Sequence, residues 1–144
     1  MLSPFFRTQT DPRFVEKYLQ IGSIYNAVPQ LDSAIYYFKK SLRIIRRQPK
    51  SPEQVSYLGR VLLKLASAYR NDERFQESID TLKWTLAFLQ ENKGPDDDQT
   101  IRARQNLASV YDRIGDLPKS IKLNVDNITL VSKRYGSKNM FIAT

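Results

Sequence analysis

Apolar residues recur along this chain at intervals of three and four, the spacing that lines one face of an α-helix. Between Arg13 and Ala27 the stripe holds Tyr18, Ile21, Gly22 and Tyr25, and between Ser56 and Asn71 it holds Leu62, Leu65, Ala66 and Tyr69. Between Ile101 and Arg113 the same offsets carry Arg104, Leu107, Ala108 and Tyr111, so the first position there is polar. After a tight turn each segment is followed by another, in which Leu31, Ala34 and Phe38 match Phe75, Ser78 and Leu82, and then Leu117, Ser120 and Asn124. Turn-forming residues stand between the segments at Asp11-Pro12, Pro29, Pro49, Ser51-Pro52, Gly94-Pro95, Gly115, Pro118 and Gly136. The pattern predicts an all-α chain of three helix pairs.

The small residues Gly22, Ala66 and Ala108 set the register, 44 and then 42 residues apart. Repetition at this period indicates a solenoid, because one helix pair cannot bury both of its faces and must stack on a neighbour. A small side chain at these positions admits the partner helix closely, and Tyr25, Tyr69 and Tyr111 plug the space one turn later. Ala34, Ser78 and Ser120 would offer the matching notch on the second helix, small facing small.

On these residues the chain resembles the tetratricopeptide repeat family, best in the run Leu107-Ala108-Ser109-Val110-Tyr111-Asp112-Arg113-Ile114-Gly115-Asp116-Leu117-Pro118-Lys119-Ser120. The long period and the link Gly94-Pro95-Asp96-Asp97-Asp98 are similar to the kinesin-light-chain-like branch, with the likeness running over roughly residues 14–135. The resemblance implies a right-handed superhelical solenoid of three antiparallel pairs in a domain at 13–135, with repeats at about 15–48, 59–92 and 101–134. An extension at 1–12 and a tail at 136–144, or the start of a further repeat, would flank it. Arg104, Asn124 and Asn127 depart from the family's apolar pattern. They mark either a polar terminal cap, the preferred reading, or a surface awaiting a partner.

The chemistry available is narrow. The chain has 144 residues, 41% of them apolar, and contains neither Cys nor His, which excludes disulfides, thiolate nucleophiles, imidazole bases and Cys/His zinc sites. No phosphate-binding glycine motif or EF-hand pattern occurs, and no catalytic, cofactor or metal constellation is found. Asp96, Asp97 and Asp98 are read as a helix cap with negative charge at the helix's positive end. The sequon Asn127-Ile128-Thr129 lies in a helical pattern and is given little weight. Without a secretory signal or a membrane-length apolar run, the chain is expected to be intracellular, in the cytoplasm or an organelle.

Twenty-three Lys and Arg against fifteen Asp and Glu leave a formal charge of +8, which favours acidic partners. In repeats of the resembled class the first helices line the concave surface. Their remaining positions are Glu16, Leu19, Ser23 and Asn26, then Arg60, Leu63, Lys64, Ser67, Arg70 and Asn71, then Arg102, Gln105, Asn106, Ser109, Asp112 and Arg113. Such a groove would be basic and suit an extended acidic peptide, with Arg gripping carboxylates and Asn71 and Asn106 pairing with backbone groups. Leu19 and Leu63 would form a pocket for an apolar anchor. Some family members clamp a chaperone's terminal carboxylate, but among the matching positions Leu19, Ser23, Lys64, Arg102 and Asn106, Arg102 alone fits that pattern well. The expectation is a non-enzymatic adaptor for an acidic or mixed acidic-apolar peptide, resembling motor cargo adaptors. The alternatives are a nucleic-acid or anionic-membrane binder using the basic run Lys39 to Lys50, or a structural segment of a larger scaffold. Self-association through Phe141 and Ile142 is a further expectation.

Overall fold

A computed structural model describes residues 11–136. These residues form six helices: α1 (Arg13–Ala27), α2 (Leu31–Arg46), α3 (Pro52–Asn71), α4 (Phe75–Lys93), α5 (Asp98–Ile114) and α6 (Leu117–Tyr135). No strand occurs among the described residues, and the all-α repeat expected from the periodicity is the fold observed. Nearly all of the expected N-terminal extension, and Phe141 and Ile142, lie outside the described residues.

Two helices begin earlier than the apolar pattern suggests, because their starts are written in caps. Ser51 accepts a hydrogen bond from the Gln54 amide at 3.1 Å, with Pro52 in the first turn where its missing N–H costs nothing. Asp97 accepts from the Gln99 amide at 2.9 Å, so the capping role expected of the aspartate run falls to Asp97. The neighbouring carboxylate of Asp98 meets Arg134 at 3.0 Å.

The chain divides into two compact units, Met1–Thr81 and Leu82–Thr144, with the boundary inside α4. In the first unit α2 packs against both α1 and α3. Val15, Leu19, Ala34, Phe38, Leu62, Leu65, Ala66 and Tyr69 are all buried there. A Cβ at Gly22 would lie 2.6 Å from the Phe38 ring, so this small residue accommodates a large one instead of facing another small one. Farther along, Ser78 Oγ donates to the Ala66 carbonyl at 2.8 Å, and here small does face small. The turn between α3 and α4 puts Glu73 at φ 59°, in the left-handed region.

In the second unit α5 packs on α6 around Leu107, Ala108, Val110, Tyr111 and Ser120. Gly115 ends α5 at φ 83° and lets the chain reverse. Arg104 and Asn127, expected at a polar cap or an open surface, are buried at 3% and 6% exposure. Arg104 Nη1 donates to Asn127 Oδ1 at 3.1 Å, and Asn127 Nδ2 donates to the Ile101 carbonyl at 3.1 Å. Desolvation lowers the Arg104 pKa, with the charge of Asp126 opposing that effect. Ser41 donates to the Val15 carbonyl at 2.8 Å across the same interval of 26 residues, so Asn127 repeats in the third pair a link made in the first. The cap reading also fails on the outer side of α6, where Leu117, Ile121, Val125, Ile128 and Tyr135 are exposed.

Candidate functional site

The strips proposed from the sequence lie on α1, α3 and α5. In the first unit the Arg60 guanidinium meets the Glu16 carboxylate at 2.7 and 3.2 Å. Asn71 Nδ2 donates to Asn26 Oδ1 at 3.0 Å. These contacts join residues 44 and 45 apart, so the inferred register brings the outer strips of α1 and α3 side by side. They bracket a stretch of about 15 Å, ten residues of helix at 1.5 Å each. Within it Ser23, Lys64 and Ser67 are half-buried, and Arg70, also half-buried, reaches Ser67 Oγ at 3.5 Å.

Two features depart from the expected wall. Leu19 and Leu63 are 1% and 6% exposed, hence core residues, and the apolar anchor pocket assigned to them is absent: each points into the helix packing. The strip is also less cationic than the sequence suggests, since Glu16 is paired with Arg60. In the second unit Arg102, Gln105 and Arg113 are exposed, and Asn106 and Ser109 are half-buried.

The basic run lies on α2 and just beyond it. Its apolar members Leu42, Ile44 and Ile45 are buried, while Lys39, Arg43, Arg46 and Arg47 with Leu42 line a surface hollow of about 340 Å³. Sequence reasoning missed the aromatic surroundings of Lys40. Its ammonium lies 5.1 Å from the ring centroids of both Tyr18 and Tyr36, and Tyr37 stacks on Tyr25 at 5.7 Å. Tyr36 and Lys40 are one helical turn apart, which was the available signal. Trp84, exposed, stacks on Phe88 at 5.0 Å on α4 by the same spacing.

No cluster of metal-ligating side chains occurs among the described residues, and no helix among them is long and apolar enough to cross a membrane. The contacts define a helical-repeat arrangement, with the first helices of the first two pairs in register. A tetratricopeptide repeat family model matches residues 57–124, and the chain is similar to tetratricopeptide repeat proteins of the kinesin-light-chain-like kind. Repeats of this family typically mediate protein–protein interaction and generally serve as non-enzymatic scaffolds.

Over 120 residues, 83% of its length, the chain is 24% identical to kinesin light chain-related protein 3 of Arabidopsis thaliana, and spans 18% of that relative. Its fold matches the crystal structure of a variant form of the nearly identical TPR-like repeats of a Podosopora anserina kinesin light chain, with a TM-score of 0.77 and 17% identity. That match covers 93% of this chain and 62% of the other. BtubC (BKLC) from P. vanneervenii matches with a TM-score of 0.73 and 14% identity, over 92% of this chain and 50% of that one.

Proposed function

We propose that this chain is a non-enzymatic adaptor that binds a protein partner along the outer strips of its first helices, taking an acidic or mixed acidic-apolar peptide segment. The carrying observation is the pair of contacts Glu16–Arg60 and Asn26–Asn71, which align polar strips on α1 and α3 and leave Lys64 and Ser67 between them. In the second unit α5 carries its own exposed cations, Arg102 and Arg113. The kinesin light chain-related relative supports an adaptor role. The absence of Cys suits an intracellular setting.

Arg60 and Glu16 are 45% and 36% exposed, and an exposed ion pair of this kind is worth only about 0–1 kcal/mol. An incoming carboxylate can therefore exchange with Glu16 for the Arg60 fork at small cost. Arg60→Glu with Arg102→Glu should abolish capture of the partner found by crosslinking mass spectrometry in native extract, while Arg46→Glu with Arg47→Glu leaves it intact. The reverse pattern would move the binding surface to α2. That second reading, a nucleic-acid or anionic-membrane surface, draws on the four cations around the α2 hollow. Capture by RNA or anionic vesicles at physiological salt, with no protein captured, would replace the adaptor reading.

A further inference from the structure

The outer side of α6 carries Leu117, Ile121, Val125, Ile128 and Tyr135, between 48% and 61% exposed. At about 100° per residue these five side chains fall within an arc of about 80°, an apolar stripe broken only by Ser132. Of the corresponding positions on the earlier second helices, those matching Ile121 and Ile128 on α2 are covered, while Lys39 and Lys83, which match Val125, are exposed. Ile35 and Leu42, which precede Ile121 and Ile128 by the same 86 residues, are 5% and 8% exposed on α2, which α1 and α3 flank. Ile79, one period before Ile121, is 5% exposed. At Ile121 and Ile128 the surface of α6 is thus of the type that is buried elsewhere in this chain, and an apolar strip of such length marks an interaction face.

Its occupant can be read from its own symmetry. Turned end for end about a point between Asn124 and Val125, the stripe lies on itself: Ile121 comes opposite Ile128, Val125 sits beside the axis, and Leu117 comes opposite the small Ser132. The flanking charges obey the same operation. On one flank Lys122 comes within one residue of Asp126. Within the helix Lys122 already reaches Asp126 at 3.4 Å and Lys119 reaches Asp116 at 3.3 Å, so part of the flanking charge is neutralised locally. We propose that two copies of this chain associate through α6, antiparallel about a two-fold axis near Val125, with Ile121 of each packed on Ile128 of the other. A two-fold contact needs one self-complementary patch, which is what the stripe and its charges provide.

Sedimentation velocity of the full chain across micromolar concentrations tests this without any partner. The expected result is a reversible dimer whose dissociation constant rises at least about tenfold in Ile121→Glu with Ile128→Glu, with unchanged helical circular dichroism. Lys122→Glu alone should weaken the dimer and Lys122→Glu with Asp126→Lys should restore it. Because the chain has no Cys, single cysteines report the geometry cleanly. Val125→Cys should form a disulfide-linked dimer on mild oxidation, whereas Leu117→Cys should not. A wild-type chain that stays monomeric, or crosslinking of Leu117→Cys as efficient as that of Val125→Cys, overturns the proposal. Loss of the dimer with partner capture intact separates it from the adaptor reading.

Discussion

Gly22 is the residue on which the first helix pair depends most directly. The ring of Phe38, 1% exposed, occupies the space a side chain would need, with two ring carbons 2.6 and 2.7 Å from an ideal Cβ. A buried ring enclosed by packed neighbours has little room to retreat. Gly22→Ala should therefore lower stability by about 1–3 kcal/mol, read from the urea midpoint, despite the better helix propensity of alanine. The position was legible as a small one from its recurrence at Ala66 and Ala108. Its partner was not, since periodicity identifies an inward face without naming the side chain it meets. Leu19 and Leu63 illustrate the same limit, as both sit beside the packing stripe in sequence and both proved to be core.

Among the helices, the interiors were legible and the ends less so. The ranges inferred for α3 and α5 began four and three residues late, because the residues of the first turn are polar and carry no stripe. Their signal was the cap, Ser51 and Asp97. The turn after α3 holds a second lesson. Glu73 takes the left-handed conformation that Gly115 takes 42 residues later, and a side chain with a Cβ is strained there. Glu73→Gly should stabilise the chain by about 1 kcal/mol, visible as a raised melting temperature. Ion pairing at Glu73 would be the competing explanation for its retention, and an unchanged or lower melting temperature would count against strain at this turn.

At the scale of the whole chain, recurrence at 44 and 42 residues sufficed for the repeat architecture, since stacked pairs bury equivalent positions in equivalent ways. What recurrence hid was the substitution of one polar link for another. Arg104 and Asn127 looked like breaks in the apolar pattern, yet Asn127 makes the bond to Ile101 that Ser41 makes to Val15 and also satisfies a buried guanidinium. Removing the acceptor leaves that charge buried with fewer partners, so Asn127→Ala should cost about 1–3 kcal/mol. The paired change Arg104→Leu with Asn127→Leu should cost much less. Because helical repeats contact only their neighbours, hydrogen exchange in Asn127→Ala should rise in α5 and α6 while the amides of α1 and α2 keep their protection.

Asn127 is also the acceptor residue of an Asn-Ile-Thr triplet, and both ends of its amide are engaged inside the α5–α6 pair. An oligosaccharide attached there during synthesis would occupy the space that α5 requires, and one offered afterwards would find no accessible nitrogen. Routing this chain through a secretory pathway should thus yield either a sugar-free folded protein or a glycosylated one unable to close its last hairpin, so the triplet hinders export of the chain and gives no site for decorating it.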